Sequence, residues 1–458
     1  MRNISLAVLS IGLAGVAAAG DWTMYLRDPA HSSFNSDESE LDRNTIQSVQ
    51  NAWLLKSGAL VAAAPTLSDG VLYFGDWAGN FHAVRAADGT ELWAQFVGIA
   101  AQPPELGCQR GIGVSSQAVV VGNTVYVGGG DAALYALDKT SGAQLFSVPL
   151  ADTNSGAYIW SSILHSGNTL YLGVASLGDC PLVRGQLVRV DLNDPQNPKA
   201  RYLVPENQIG AGLWSTPAID EAANILYITT GNGDQDPENG GFGGALLALD
   251  ATSLDPLASF FLPADEQSDD FDWGSSPTLF PTSDGRNLVA ATGKDGILYA
   301  LSRPDLSLVW KQTVAVPCVC PECGCGSLST PAFDGTTLYV GAGVRDPSGD
   351  SNGSVYAIKP DTGDILWQQD LDGTVIAPVT VANGLIYTST TTGLKVFDSQ
   401  TGEAVWDDGG YGLLYSQTIV QDGCIYNTYL DGSVVARRVI NDTAGDRPKS
   451  GRPAARRH

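Results

Sequence analysis

The sequence predicts an all-β protein with the architecture of an eight-bladed β-propeller of four-stranded blades. Three observations lead to this prediction. The 458-residue chain is rich in turns and poor in charge, with 53 glycines and 16% charged residues. A repeat of roughly 40 to 50 residues recurs along it. A lone strand near the N-terminus matches the outer strand that the last repeat lacks.

Each repeat has three recognisable parts. A strand of small residues, often with Ser-Pro or Ala-Pro, comes first, an "xLYxG" strand follows, and an "xLYALDxxTGxxLW" strand, turn and strand ends the unit. Short strands separated by glycine-rich turns at this period are typical of propeller blades. The first two copies end near Gly98 and Val148. The other six copies begin at Ser161, Ser215, Ser275, Ser329, Ala377 and Ser416.

The two ends of the chain predict how the ring closes. The last copy stops after three strands, and the segment "VQNAWLLKSG" around Trp53 matches the closing strands that contain Trp93, Trp310, Trp367 and Trp406. We expect the N-terminal strand to complete the last blade, because closure removes two open sheet edges at once. We also expect the tryptophans of the closing strands to pack between adjacent blades.

The composition of the termini predicts an exported protein. A basic residue, a short apolar run and a run of small residues indicate a signal peptide at 1–19, which leaves a propeller at 20–441 and a disordered basic tail at 442–458. No later apolar run is long enough to span a membrane, so we expect a secreted or periplasmic protein without a membrane span. The net charge of -24 argues against a nucleic-acid partner.

Four of the seven cysteines lie in the segment "PCVCPECGCG", at Cys318, Cys320, Cys323 and Cys325. In an oxidising compartment this cluster predicts one or two local disulfides. A metal site made by the four thiolates is the alternative. The chain has no Cys-x-x-Cys-His motif, so we expect no covalently attached haem.

The "ALDxxTGxxLW" repeat resembles the tryptophan-docking repeat of the pyrroloquinoline quinone (PQQ) propellers, and the resemblance covers nearly the whole mature chain. The segments "DWTMYLRDPAHSSFN" (Asp21 to Asn35) and "FGDWAGNFHAV" (Phe74 to Val84) resemble most the polyvinyl alcohol dehydrogenase branch. Bacterial outer-membrane assembly scaffolds share this propeller and bind no cofactor. The site, and not the fold, must therefore decide the function.

The resemblance implies specific PQQ-binding residues in the second and third repeats. Arg110, in "CQRGIGVSS", matches the arginine that holds a PQQ carboxylate, where a guanidinium fork suits the anion. A lone Cys108 stands where the family often has two adjacent cysteines. Ser161 matches a hydroxyl near the quinone. Ser176 and Asp179 match a Ser-x-x-Glu pair whose acid ligates calcium, although Asp is one methylene shorter than Glu.

The fourth and fifth repeats supply the rest of the implied site. Trp214 matches the indole on which the PQQ ring lies, and Asn232, 18 residues later, matches an amide ligand of calcium. In "DDFDWGSSP", Asp272 or Asp270 matches the catalytic aspartate, and Asp272 is also an implied metal ligand. The Asp-x-Asp pair resembles the acidic pair of lanthanide-using relatives. Lys294, in "GKDGILYAL", matches the cation near the quinone oxygens.

Two functions follow from these residues as hypotheses. The first is a secreted PQQ-dependent dehydrogenase that oxidises an alcohol, polyol or hydroxylated polymer, with calcium or a lanthanide as the metal. Such an enzyme must pass electrons to a separate acceptor such as a cytochrome c, because no haem motif is present. The second is a cofactor-free propeller that acts as an extracellular or periplasmic protein-binding scaffold.

Overall fold

The computed structural model describes most of the chain between Asp21 and Val439. The described residues are 21–101, 111–263, 270–303, 305–318, 320, 323–346, 349 and 352–439. Within them the strands form eight sheets in chain order, which confirms the predicted eight-bladed propeller. Arg110, the predicted signal peptide at 1–19 and the predicted basic tail at 442–458 lie outside the described residues.

The first four blades follow one another along the chain, and their strands pair antiparallel in sequence order, except that both β11 and β12 of blade 3 pair with β13. Blade 1 contains β3 (Thr66–Ser68), β4 (Val71–Gly75), β5 (Asn80–Arg85) and β6 (Glu91–Phe96). Blade 2 contains β7 (Val119–Val121), β8 (Thr124–Gly128), β9 (Ala133–Asp138) and β10 (Gln144–Pro149). Blade 3 contains β11 (Ala157–Tyr158), β12 (Leu164–Ser166), β13 (Thr169–Ser176), β14 (Gln186–Asp191) and β15 (Lys199–Tyr202). Blade 4 contains β16 (Ala218–Asp220), β17 (Ile225–Thr229), β18 (Ala245–Asp250) and β19 (Pro256–Phe261).

The last four blades include the two strands that come from the N-terminal region. Blade 5 contains β20 (Thr278–Pro281), β21 (Asn287–Thr292), β22 (Ile297–Ser302) and β23 (Leu308–Thr313). Blade 6 contains β24 (Ala332–Phe333), β25 (Leu338–Ala342), β26 (Gly353–Ile358) and β27 (Ile365–Leu371). Blade 7 contains β28 (Thr380–Ala382), β29 (Leu385–Thr390), β30 (Gly393–Asp398), β31 (Ala404–Asp407) and, parallel to β28, β1 (Phe34–Asn35). Blade 8 contains β32 (Ile419–Gln421), β33 (Cys424–Thr428), β34 (Ser433–Val439) and β2 (Val49–Lys56).

Helical structure is confined to short 3₁₀ turns in the described residues. These turns are Thr45–Ser48, Thr153–Ser155 and Pro237–Asn239. None of the described helices is long and apolar enough to cross a membrane.

Strand β2 closes the ring as predicted. It pairs antiparallel with β34 from Val49, opposite Val439, to Lys56, opposite Ser433. The partner strands are far apart in sequence, so the contact ties the N-terminal region to the last blade. The pairing covers the edge that β34 would otherwise expose to solvent.

The hydrophobic core lies between the blades. Tyr73 and Phe81 of blade 1 pack in one cluster with Val125 and Val127 of blade 2, and similar clusters recur around the ring. The inner strands are buried on both faces, which explains their nearly continuous apolar sequences. The outer strands alternate exposed and partly buried residues, because only one of their faces meets a neighbouring blade.

The tryptophans of the closing strands dock onto the next blade, as expected. The Trp93 indole N–H donates to the carbonyl of Lys139 at 3.2 Å, and its ring lies against Gly142. A Cβ at Gly142 would lie 2.6 Å from the indole, and φ there is +71°, so only glycine suits this turn. The same contact, from an indole to a turn glycine of the next blade, is made by Trp53 with Gly89, by Trp310 with Gly363 and by Trp367 with Gly402. Trp406 instead lies 6.0 Å from the Arg437 guanidinium of blade 8.

A tunnel of about 170 Å³ runs along the ring axis and is lined by two rings of eight residues, one residue per blade. The first, called here the cavity-side ring, consists of Ala62, Ser115, Trp160, Trp214, Gly274, Leu328, Ile376 and Tyr415. The second, called the strap-side ring, lies two residues later in each repeat and consists of Ala64, Gln117, Ser162, Thr216, Ser276, Thr330, Pro378 and Gln417.

The strap-side ring explains the Ser and Thr of the repeat. The Gln117 amide donates to the Ser162 hydroxyl at 3.1 Å, and the Ser162 amide donates to the Thr216 hydroxyl at 3.0 Å. The Thr216 amide donates to Ser276 at 2.9 Å, and the Ser276 amide donates to Thr330 at 3.1 Å. Each hydroxyl thus satisfies a buried amide of the preceding blade, which joins five blades at their inner ends.

The segment Trp22–Asn35, called here the strap, crosses the tunnel on the other side. Its backbone bonds to the inner strands of widely separated blades, including Leu67 of blade 1, Val120 of blade 2 and Leu279 of blade 5. Tyr25 lines the tunnel, and its hydroxyl lies 3.3 Å from that of Thr330. The strap therefore links blades that do not touch one another.

The cysteine cluster forms two nested disulfides, Cys318–Cys325 and Cys320–Cys323. This confirms the prediction of local disulfides over the alternative of a thiolate metal site. Cys180 is also disulfide-bonded, and Cys424 is a free thiol among the described residues.

Candidate functional site

A cavity of about 440 Å³ lies at the inner ends of blades 3 to 5. It contains seven of the residues selected from the sequence: Ser176, Asp179, Trp214, Asn232, Asp270, Asp272 and Lys294. These residues come from three different repeats, and the ring curvature brings them together. The cavity borders the axial tunnel, since Trp160, Trp214 and Leu328 line both spaces.

Lys294 joins two carboxylates in this cavity. Its Nζ lies 3.0 Å from Asp270 Oδ1 and 2.9 Å from Asp272 Oδ1. The Lys294 amide also donates to the Asp272 carbonyl at 3.0 Å. Lys294 therefore contacts Asp272 through both its backbone and its side chain. The Asp272 side chain is 4% exposed and that of Asp270 is 34% exposed. The Asp272 carboxylate is therefore buried in the cavity wall, whereas the Asp270 carboxylate is partly exposed to solvent.

The buried position of Asp272 changes its acidity. Burial raises the pKa of Asp272 to about 7, although the positive charge of Lys294 opposes this rise. Burial acts to lower the pKa of Lys294, but the charges of Asp272 and then Asp270 outweigh it and raise that pKa. A carboxyl group with a pKa near 7 exchanges protons readily at neutral pH.

Both carboxylate oxygens of Asp272 have partners among the described residues. Its Oδ2 accepts the amide of Asn232 at 3.1 Å. Its Oδ1 is buried and lies 2.9 Å from Lys294 Nζ, its ion-pair partner.

The Thr-Gly-Asn sequence brings Asp272 close to the Trp214 indole. A Cβ at Gly231 would lie 3.1 Å from Asp272 Oδ2 and 3.4 Å from Trp214 Nε1, which explains the glycine. Lys294 Nζ lies 5.9 Å from the centre of the Trp214 ring. The indole, the carboxylate and the ammonium group therefore form one continuous wall.

The loop after β13 forms the opposite wall. The Ser176 hydroxyl accepts the amide of Val183 at 2.9 Å, which holds the base of the loop. Asp179 has φ of +51°, and burial followed by the negative charge of Asp270 raises its pKa. The disulfide-bonded Cys180 comes directly after it.

The donor atoms in this cavity bear on the metal hypothesis. Asp179, Asn232, Asp270 and Asp272 supply the oxygen atoms that calcium and lanthanides prefer. In the described part of the chain, however, no three His, Cys, Asp or Glu residues are grouped closely enough to hold an ion. The donor chemistry fits a metal, and Lys294 lies where the two carboxylates of Asp270 and Asp272 converge.

One of the selected residues is not brought to the cavity, and another cannot be placed because it lies outside the described residues. Ser161 is fully buried, and its hydroxyl donates to the Ser162 carbonyl at 2.9 Å instead of facing the cavity. Arg110 lies outside the described residues.

Trp160, which was not among the residues selected from the sequence, lines the cavity beside Trp214. Its indole N–H donates to the Ser176 carbonyl at 3.0 Å, and its ring meets Tyr158 edge-on at 4.9 Å. The repeat contains the signal that would have identified it. Trp160 and Trp214 both stand two residues before the strap-side ring position, in adjacent blades.

Relatives of known activity are similar over part of the chain. The quinohemoprotein alcohol dehydrogenase ADH IIB of Pseudomonas putida is 26% identical over 347 residues, covering 66% of this chain and 50% of that protein. The polyvinylalcohol dehydrogenase of Sphingopyxis sp. (strain 113P3) is 22% identical over 338 residues, covering 60% and 50%. The chain spans about half the length of the curated relatives it matches.

Solved structures and a protein-family model agree on the architecture. A europium-containing methanol dehydrogenase superposes with a TM-score of 0.75 at 15% identity, covering 92% of this chain and 98% of that chain, which shows a shared fold. The PQQ-propeller family model described as Outer membrane protein assembly factor BamB matches residues 45–169, 78–293 and 294–441. Because these matches cover nearly all of the described propeller, the chain belongs to the PQQ-type β-propeller family.

Proposed function

We propose that the protein is a PQQ-dependent dehydrogenase that oxidises an alcohol, a polyol or a hydroxylated polymer. The observation that carries this proposal is the common cavity of an indole, an ammonium group and two carboxylates, Trp214, Lys294, Asp270 and Asp272. The similarity to alcohol and polyvinylalcohol dehydrogenases supports the same chemistry.

The cavity suits PQQ in size and chemistry. Its volume of about 440 Å³ lies within the range of roughly 300 to 1,000 Å³ that is typical of cofactor pockets. PQQ is a flat ortho-quinone with three carboxylates, and when bound it supplies the hydride acceptor. Trp214 would support the ring, Ser176 and Arg110 would bind carboxylates, and Lys294 would stabilise negative charge on the quinone oxygens.

Asp272 is the proposed general base. A pKa of about 7 lets its carboxylate take the proton of a substrate hydroxyl near neutral pH. The neighbouring Lys294 holds the carboxylate in place and stabilises its ionised form. Asp270, more exposed, is the alternative base at the cavity opening.

Calcium or a lanthanide is the proposed metal. Asp179, Asn232 and Asp272 would be its ligands, and the metal would act as a Lewis acid. Because Lys294 and a metal would share the Asp272 carboxylate, we expect metal binding to weaken that ion pair.

The proposed setting is outside the cytoplasm, secreted or periplasmic. Electrons would pass to a separate acceptor such as a cytochrome c. The net charge of -24 favours a basic face on that acceptor.

Calorimetric titration of metal-stripped protein with PQQ tests the proposal, with and without calcium or a lanthanide. We expect saturable binding that the metal strengthens, followed by dye-linked oxidation of an alcohol. The matched control is Trp214→Ala, which removes the indole wall and should weaken binding. An absence of heat at micromolar PQQ with either metal present would contradict the proposal.

A cofactor-free binding scaffold is the second candidate function. Two observations favour it: the described residues contain no three-acid metal cluster, and the matching family is described by an outer-membrane assembly factor. A protein that binds no PQQ but retains a stable fold would support this candidate. The titration with PQQ therefore distinguishes the two candidate functions.

A further inference from the structure

We propose that Trp160 and Trp214 form a two-indole binding surface, on which Trp160 orients the planar ligand of the cavity. This inference rests on the proposed function, because the ligand in question is PQQ. It assigns a positioning role to a residue outside the set selected from the sequence.

The first supporting observation is the repeat position. Trp160 of blade 3 and Trp214 of blade 4 occupy equivalent places in the cavity-side ring. The same place is taken in blades 1, 2 and 5 by Ala62, Ser115 and Gly274. The two tryptophans are neighbours in the cavity-side ring and lie where it borders the cavity. The other aromatic member, Tyr415, lies apart from them in blade 8.

The second observation is that both indoles are only partly buried. Both line the cavity and the tunnel, and neither contacts the other ring directly among the described aromatic pairs. In contrast, Trp22 and Trp273 are fully buried in the protein core. Partly exposed indole surface within a concave site is apolar area that a flat ligand can cover.

The third observation is that the Trp160 ring is held in a fixed orientation. Its N–H donates to the Ser176 carbonyl at 3.0 Å, and Tyr158 meets it edge-on at 4.9 Å. Tyr158 is itself anchored, since its hydroxyl donates to the Gly113 carbonyl at 2.5 Å. A ring fixed in this way loses little entropy on binding, so it can define the angle of a ligand.

The indole surface fits a flat conjugated ligand, and under the proposed function this ligand is PQQ. Stacking on an indole favours a flat conjugated ring, and Lys294 places a positive charge 5.9 Å from the Trp214 ring centre. The bond from Trp160 to Ser176 also couples the indole to the loop that carries Asp179. Loss of the Trp160 indole should therefore disturb both the ring plane and that wall.

The test uses the full chain and PQQ, with binding followed by calorimetry and by quenching of tryptophan emission. Trp160→Ala should weaken PQQ binding about tenfold, the lower end of what loss of one stacking contact costs. Trp160→Phe should retain affinity within about threefold, because a ring remains to stack on. It should also reduce the quenched emission, because one of the two quenched indoles is gone. Trp367→Phe, a docking residue of the outer strands, is the control and should leave both readouts unchanged.

Each outcome decides the question. Equal affinity of Trp160→Ala and wild type would overturn the inference and leave the proposed function standing. Wild-type protein that binds no PQQ would overturn both. If Trp160→Phe binds as weakly as Trp160→Ala, the stacking role is overturned. If Trp160→Ala does not fold, the quenching amplitude of Trp160→Phe decides, and an unchanged amplitude would overturn the inference.

Discussion

At the scale of single residues, the site depends on one cation shared by two acids. Lys294 lies within 3.0 Å of both Asp270 and Asp272, which differ in exposure. The buried acid also accepts the Asn232 amide, whereas the more exposed one is held at the cavity opening by the lysine. This asymmetry gives two chemically similar side chains different roles.

The exchange of one acid for its amide tests those roles. We expect Asp272→Asn to lower turnover by about 10² to 10⁴-fold, because general-base catalysis contributes that much, while PQQ binding persists. In wild type, activity should fall as the pH drops below about 7, since the base must be ionised and burial raises the pKa of Asp272 to about 7. The measurement is dye-linked turnover against pH.

Asp270→Asn is the matched control for that experiment. We expect it to keep a pH dependence set by Asp272 but moved to lower pH, because the negative charge of Asp270 that helps to raise the pKa of Asp272 is removed. If turnover instead disappears in Asp270→Asn and survives in Asp272→Asn, the base is Asp270.

At the scale of elements, the disulfide-bonded segment Cys318–Cys325 packs against the backbone of Lys294. The Cys318 amide donates to the Lys294 carbonyl at 3.0 Å. Gly326 packs against the same residue, where a Cβ would lie 2.8 Å from the Lys294 carbonyl oxygen. Leu328, two residues after Gly326, lines the cavity. The cysteine-rich segment is thus part of the architecture of the site.

Removal of the outer disulfide tests this support. We expect Cys318→Ser with Cys325→Ser to destabilise this segment by about 2 to 3 kcal/mol, the chain-entropy value for so short a loop. PQQ affinity should fall because the Lys294 turn loosens, and calorimetry measures it. Cys320→Ser with Cys323→Ser is the control, since no backbone bond joins Cys320 or Cys323 to Lys294 among the described contacts. Equal losses in both variants would argue against a specific role of the outer bridge.

At the scale of the whole molecule, two N-terminal segments unite the ring. Strand β2 completes blade 8, and the strap crosses the tunnel to bond with blades 1, 2 and 5. These contacts act at different places, one at the outer edge of a sheet and one at the axis. Their contributions to stability should therefore be separable.

Two shortened chains separate them. A chain of residues 49–439 keeps β2 and loses the strap, so we expect a folded propeller with a lowered melting temperature. A chain of residues 57–439 loses β2 as well and leaves the edge of β34 open, so we expect aggregation or failure to fold. Circular dichroism and size-exclusion chromatography distinguish these results. Equal stability of the two chains would contradict the closing role of β2.

Several features of this protein were determined by the sequence alone. Local patterns of turn and strand residues predict the eight repeats, the closure by β2 and the docking of Trp93 on the next blade. Such patterns depend on neighbours within a few residues, and the ring follows from their repetition. The chain order of Trp214, Asn232, Asp272 and Lys294 likewise indicated one site.

Other features were decided only by the tertiary structure. The ring geometry brings Trp160 to the cavity and turns the Ser161 hydroxyl toward the Ser162 carbonyl, although Trp160 and Ser161 are adjacent in sequence. It also lets Lys294 meet both Asp270 and Asp272. Contacts between repeats depend on the curvature of the ring and on side-chain rotamers, and a single repeat read along the chain contains neither.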